Sequence, residues 1–407
     1  MSKLCGIFVL LSVLLLMMLM SRLSVANTYT LERGSDLQAV IDYASDRDTI
    51  VLGIKDFIAQ PIPFVDSLCG NCENAQTPVE TSYGFIIRGK GLIVRGLDRE
   101  GSVLITGAGY GVLLVDADGT EISDLTITGG RRSDDGNATD GAVVVRRSQV
   151  LLENMTLRDN DHRSSDSTVV VGVGGIIGRE GAEITVRNCL IRDNGWDGVA
   201  LYRGASAVIT DCRIQDGRGA GIGVTWDATS VVMRNEISGY WKGIGSFGTA
   251  TLVARNNIVH DNLGWGIIAT GQSQLDAVNN LVYHNGNCGV APWSTEARGR
   301  FINNVITSNG WRDQWVCPCV GVWNYGDWAK WTFRNNIVWG NKAGDYVGIW
   351  EQAGINGNLN ADPMFIDSLT FEYSPDSPVW HAGDTTIFNL DGSRSHIGHL
   401  GGPNRVR

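Results

Sequence analysis

The chain has 407 residues, a formal charge of −10, 52 glycines and nine prolines. An acidic balance argues against nucleic acid as a partner, and mildly against a polyanion unless basic groups gather in one groove. The length alone would suggest two or three domains, but the repeat described below lets one unit grow by adding coils.

Residues 1–26 read as a secretory signal peptide. Lys3 supplies a positive start, Phe8 to Met20 is nearly all Leu, Val and Met, and Ser24-Val25-Ala26 has the small residues of a cleavage site. Polar sequence follows at once, so no membrane span is expected after cleavage. The expected location is secreted, periplasmic or cell-surface. Asp36 to Ala44 has apolar residues at helical spacing and suits an N-terminal cap.

One pattern then recurs to about residue 360. Asn256-Asn257-Ile258-Val259, Asn279-Asn280-Leu281-Val282, Asn303-Asn304-Val305-Ile306 and Asn335-Asn336-Ile337-Val338 are its clearest copies. The closing apolar residue falls at 105, 127, 157, 191, 214, 237, 259, 282, 306 and 338, which is a period of about 23 with longer steps where loops are inserted. Within one period, residues 198–202, 207–209 and 212–214 are short alternating runs separated by Gly or Asn. Three short strands per turn predict an all-β chain: a right-handed parallel β-helix of about 10–12 coils. Insertions enlarge the coils near 60–84, 130–141, 160–173 and 311–331.

Two ladders follow from the register. Cys189, Cys212, Asn235, Asn257, Asn280, Asn304 and Asn336 stand two residues before the closing position, where a stacked amide satisfies a buried turn. Asn160, Asn194, Asn262, Asn285, Asn309 and Asn341 stand three after it, at a corner expected to need the left-handed conformation. Both ladders read as structural. Cys189 and Cys212 are expected to be buried thiols. Cys288 is placed to bridge to the Cys317/Cys319 pair, and Cys69 and Cys72 form a further close pair. Residues 27–366 are thus assigned to the β-helix with its cap, and 367–407 to an irregular C-terminal capping segment.

The repeat, the helix cap and the closing pattern Ala361-Asp362-Pro363-Met364-Phe365, Asp391-Gly392-Ser393-Arg394 and Gly401-Gly402-Pro403 resemble secreted right-handed β-helix repeat proteins of the pectate-lyase-like superfamily. The resemblance covers nearly the whole chain beyond residue 26. It implies the fold strongly and a polysaccharide-modifying activity loosely. The superfamily holds lyases, hydrolases, uronate epimerases, tailspikes and adhesins. Its Trp-x-Asp-His, Gly-His-Gly and Tyr-Gly-aromatic-Asp-Pro-His catalytic elements are missing, so no catalytic residue carries over.

The resemblance places substrate across the first strand of each coil. That strand is read as starting at Gly141, Gly175, Gly198, Gly221, Gly243, Gly266, Gly289, Gly321 and Gly348. Alternation then turns outward the fourth residue after each Gly: Val145, Arg179, Tyr202, Thr225, Phe247, Thr270, Trp293, Tyr325 and Gln352. Most of the thirteen tryptophans lie on this face or in the loops before it. Flat rings with polar edges suit sugars, and Trp226, Trp241, Trp265, Trp293, Trp323 and Tyr325 are the candidate platforms. Lyase or epimerase chemistry on a uronate needs carboxylate neutralisation and proton transfer. Lys242, Arg179, Tyr202 and Arg203 are the candidates for it, with Asp197 and Asp227 as nearby carboxylates. Those carboxylates would serve Ca²⁺ as a cofactor, or act as the acid and base of a hydrolase. The competing reading is a non-catalytic glycan-binding or cell-surface module. His260 and His284 fall on the third strand, away from this face, and read as packed or solvated. The polysaccharide or cell-surface glycan partner, the metal and the oligomeric state are not named by the residues.

Overall fold

The structure is a computed structural model that describes residues 26–32, 34–67, 77–160, 172–312, 318–367 and 369–404. The signal-peptide reading, save its last residue, and the Cys69/Cys72 pair fall outside the described residues. Each coil contributes one strand to each of three parallel sheets, in the order C, A, B. The coil at 199–215 does so with Val199–Leu201, Ser206–Thr210 and Arg213–Gln215. Sheets A and C hold twelve described strands each and sheet B eleven. Within these three sheets the pairing is parallel, except where Ile62–Asp66 adds antiparallel to Val79–Arg88 at the N-terminal end of sheet C; Phe365–Asp367 and Glu372–Tyr373 form a separate antiparallel pair.

The core is built by stacking like on like. Ile176, Val199, Ile222, Ile244, Ile267, Val290 and Val322 line the inside of sheet C; Ile191, Ile214, Ile237, Val259, Val282, Ile306 and Val338 line sheet B. Each such aliphatic side chain stabilises by about 1.5–3 kcal/mol on burial. The helix Leu37–Tyr43 closes the first coil with Leu37 and Ile41 inward, and the Asp36 side chain accepts the Ala39 amide at 3.1 Å.

Both ladders form. The Asn280 Oδ1 accepts the amide and the Nδ2 of Asn257 at 3.0 and 2.9 Å, while its own Nδ2 donates to Ala254 O and Asn304 Oδ1. The second ladder repeats this through Asn262, Asn285, Asn309 and Asn341. The left-handed residue is not the ladder Asn, however. It is the residue before it: Asp159, Asp193, Asp261, His284 and Ser308 have φ between 50 and 59°. The ladder amide instead ties the turn from inside. The second ladder breaks at Gly217 and Tyr240, where the Tyr240 ring fills the space above Gly217; a Cβ there would lie 2.2 Å from it.

In the Asn-Asn pairs the first Asn is left-handed and faces outward. Asn256 donates to the carbonyls of His399 and Gly401, and Asn279 to those of His396 and Gly398. Asn303 accepts the Asp384 amide. The C-terminal segment therefore runs back along the flank of sheet B, burying Leu281, Val305 and Ile337 under Phe371, Tyr373, Val379 and Ile397. Cys189 and Cys212 are buried free thiols, as the register requires, with the Cys189 amide 3.4 Å from the Cys212 Sγ. Cys288 is disulfide-bonded, and the buried Cys319 Sγ donates to Arg312 O at 2.9 Å.

Candidate functional site

The outer face of sheet C changes character along the axis. Two strands differ from the expected register: at the far end Val322 pairs with Tyr346, so Gly348 follows its strand instead of starting it and Gln352 is buried instead of outward. Gly141 pairs with Gly174, not Gly175, so Arg146 stands beside Arg179 in the outward column and Val145 is core. Gly141 matches the first Gly of the Gly174-Gly175 pair, whereas the expected register aligns it with the second, and a shift of one residue flips a strand side chain to the other face.

At the N-terminal end the face is covered. The strand Ile62–Asp66 folds over it, packing Phe64 against Tyr83 and Tyr110 at ring distances of 5.5 and 5.7 Å. Asp66 reaches Arg146 Nη1 at 2.8 Å and Arg179 Nη2 at 2.5 Å, and accepts the Tyr110 hydroxyl at 2.9 Å. Arg179, expected on the open face, is 2 % exposed and belongs to this ion-pair network. A buried guanidinium held this way is a structural group first. Arg203 pairs with Glu180 at 3.4 Å and lies over the Trp226 ring at 5.2 Å. Trp226 is itself left-handed, φ 60°, and packs on Tyr202 at 5.4 Å.

From Tyr202 onward the outward residues are half-buried, and here three of the candidates converge. Asp197, immediately before its strand, is 8 % exposed. Its Oδ1 accepts the Ala220 amide at 2.6 Å, and the Tyr202 side chain is a second hydrogen-bond partner. Gly219 makes room for it, while Gly223 lies at ordinary contact distance. A Cβ at Gly219 would fall 1.9 Å from Oδ1, and a Cβ at Gly223 would lie 3.8 Å from Oδ2. Gly223 lies between the Asp197 carboxylate and the Phe247 ring, which packs on Gly245, and the Lys242 ammonium lies 5.6 Å from the centre of that ring. Lys242 pairs in register with Ala220 on one side and Trp265 on the other.

Burial dominates the electrostatics. It raises the Asp197 carboxyl to about 6, against the opposing pull of the Ala220 amide, the Lys242 charge and Tyr202. It lowers the Lys242 ammonium below its ordinary value, against the opposing attraction of Asp197. Two groups whose protonation is moved towards neutrality face each other in one bay, an arrangement suited to proton transfer. Beneath the strand, the buried Tyr240 hydroxyl lies 2.9 Å from the position of a Gly198 Cβ, and burial followed by the Asp197 charge keeps it protonated. Tyr240 was not singled out from sequence; its place at a gap in the asparagine ladder was the available signal.

The aromatic candidates continue the face. Trp241, Trp265, Trp293, Trp323 and Tyr325 succeed one another at ring distances of 5.5, 5.0, 4.7 and 6.0 Å. Trp265 is buried as their foundation, Trp241, Trp293 and Trp323 are half-buried, and Tyr325 is 68 % exposed. Asp227 is not brought into the bay: it is exposed and accepts the Gly204 amide at 2.7 Å. His260 and His284 meet across Asp261, on the flank of sheet B. Among the described residues no three His, Cys, Asp or Glu side chains converge as a metal site. Asp197 and Asp227 therefore do not form a Ca²⁺ cage by themselves.

The model of the right-handed β-helix region matches residues 84–225 and 174–338. No curated protein matches the sequence. Among solved structures the chain is similar to the pectate lyase Pel9A, at 13 % identity and a TM-score of 0.51, covering 95 % of this chain and 98 % of that one. It is also similar to the A-module of mannuronan C-5 epimerase AlgE6 from Azotobacter vinelandii, at 14 % identity and a TM-score of 0.44, covering 81 % and 95 %. At these identities the likeness is one of fold.

Proposed function

The chain belongs to the right-handed β-helix family, and from that premise we propose that it is an exported protein that binds a uronate-containing polysaccharide along sheet C and removes the C5 proton of one uronate residue. The observation that carries this reading is Lys242, half-buried with its ammonium pushed towards neutrality, in the field of the buried Asp197 carboxylate that Tyr202 hydrogen-bonds, with the Phe247 ring beside both. A neutral amine at that point takes the C5 proton. In β-elimination the C5–H electrons become the C4=C5 double bond, the C4–O4 bond breaks, and the leaving oxygen takes the Tyr202 proton. In epimerisation C5 is reprotonated from the opposite face and no bond to oxygen breaks. Asp197 orients Tyr202 and sets the charge beside Lys242.

Hydrolysis through Asp197 and Asp227 is less well supported, because Asp227 is engaged in the Gly204 turn. The aromatic run supports a second reading, a glycan-binding module without chemistry, since it needs none of the ionisable groups. Incubating the protein in deuterated water with polygalacturonate or polymannuronate separates the two. Proton NMR is expected to show loss of the C5–H signal, with ultraviolet absorbance of an unsaturated uronate if elimination follows. Glycan binding with neither loss of the C5–H signal nor unsaturated-uronate absorbance on any uronan leaves the module reading standing and refutes the chemistry.

A further inference from the structure

The face that carries the candidate site is open at one end only. On the coils that begin at Tyr110, Gly141 and Gly174, the outward column that continues to Tyr202 holds Val115, Arg146 and Arg179, and all three are buried. The cover is the Ile62–Asp66 strand, pinned by the Asp66 contacts to Arg146, Arg179 and Tyr110. On the next coil Tyr202 is half-exposed, and from there to Tyr325 every residue in that outward column is partly or fully open. The transition falls between adjacent coils, and Asp197 and Tyr202 sit on the first open one.

Distances along the axis follow from the coil spacing. Tyr202 and Lys242 are two coils apart, about 10 Å, and the open face from Tyr202 to Tyr325 spans five steps, about 24 Å, at roughly 4.8 Å per coil. The rings Trp241, Trp265, Trp293, Trp323 and Tyr325 follow the axis on the Lys242 side and none of them lies on the covered side. A ligand stacked on them runs along the axis and meets the covered strand soon after passing Lys242. The wall it meets carries Arg146, Arg179 and Arg203 against Asp66 and Glu180, one positive charge in excess. An anionic chain end suits such a wall, whereas the continuing body of a polymer has no path through it.

We infer that the protein acts on the ends of uronan chains and not on their interiors, the terminal one or two sugars lying between Lys242 and the wall. The inference rests on the proposed function for its chemistry but not for its geometry, and it deepens that reading by naming which part of the polymer is the substrate. Where elimination follows, the released product is short and the parent chain shortens stepwise while most chains keep nearly full length; where epimerisation follows, only the terminal sugars are inverted and chain length is unchanged.

The test takes the full-length protein with a size-graded series of oligo- and polygalacturonate, and the same series of mannuronates, at equal mass and at equal molar chain concentration. Turnover in deuterated water is read as loss of the C5–H signal, with unsaturated-uronate absorbance and product length by size exclusion where elimination follows; binding is read by calorimetry. A one-ended groove gives a dissociation constant per chain that stays level once the chain exceeds about six sugars. It also gives rates at equal mass that double when mean length is halved. An open groove gives affinity per chain rising in proportion to length, and rates at equal mass independent of length. The second pattern, or early loss of long chains, overturns the inference and leaves the chemistry standing. Level affinity with no turnover overturns the chemistry and sustains end binding, and no binding to either series overturns both.

Discussion

Replacing Asp197 by Asn should stabilise the protein, and only at neutral and alkaline pH. Burial pushes the carboxyl up from the ordinary 3.8 to about 6 in the fold. The folded state therefore binds the proton more tightly, and stability falls as pH rises from about 4 through about 6. Above that window the full penalty applies. A shift of about two units corresponds to about 3 kcal/mol. Asn keeps the size of Asp and an oxygen for the Ala220 amide at 2.6 Å. Lys242 loses a favourable neighbour in exchange, so the net gain is smaller, on the order of 1–2 kcal/mol. Urea melts of wild type and Asp197→Asn at pH 4 and pH 8 read this directly. The variant should match wild type at pH 4 and exceed it at pH 8. Equal differences at the two pH values, or a variant weaker at pH 8, would show that the carboxylate is not the strained group described here. Stability withheld at one buried carboxylate is what a site tuned for chemistry costs.

Other expectations concern the scaffold. Asn280→Ala removes the acceptor of two Asn257 donors and the donor to Ala254 and Asn304 in a dry ladder. A loss of about 3–5 kcal/mol in chemical denaturation is expected from orphaned buried groups; a loss under 1 kcal/mol would refute the ladder's role. Cys189→Asn with Cys212→Asn extends that ladder by two coils, and thermal melts should show equal or higher stability, where a clear loss would mean the thiols fit a space that amides do not. For His260, burial opposes the charged ring, but bonds to Asp261 and Glu236 outweigh it and hold the imidazole at about 9. That raised value contributes stability fully below pH 6.5 and loses it as pH rises through 9. With Asp261 half-exposed, about 1–2 kcal/mol is expected, and His260→Gln should flatten the decline in stability between those pH values.

The sequence carried the architecture because a β-helix repeats its instructions. Ile191, Ile214, Ile237 and Val259 announce one column by spacing alone, and Asn257 and Asn280 announce the ladder beside it. The first Asn of each pair was read as part of the same motif. Its partners, His396 to Gly401, are more than a hundred residues away from Asn256 and Asn279, so no local pattern reveals that it fastens the C-terminal segment. The candidate site divides along the same line. Tyr202 and Lys242 lie in regular coils whose outward positions can be counted, and Asp197 joins them through the preceding turn. Arg179 also lies in a countable position, yet it is buried, because the insertion near 60–84 returns over it. Where an enlarged loop will fold is a matter of tertiary packing that neither period nor composition encodes.

The proton-transfer claim stands or falls on Lys242. Initial rates of C5–H exchange should be followed against pH for wild type and Lys242→Gln, with glycan binding measured on the same samples. The wild-type rate should rise with pH along a limb below the ordinary lysine range, as burial requires. Lys242→Gln should lose about 10²–10⁴-fold in rate, the usual contribution of a general base, while binding stays within a few-fold. A variant that keeps its exchange rate, or that loses rate only in step with binding, would contradict the assignment and leave Lys242 as one more contact on the groove floor.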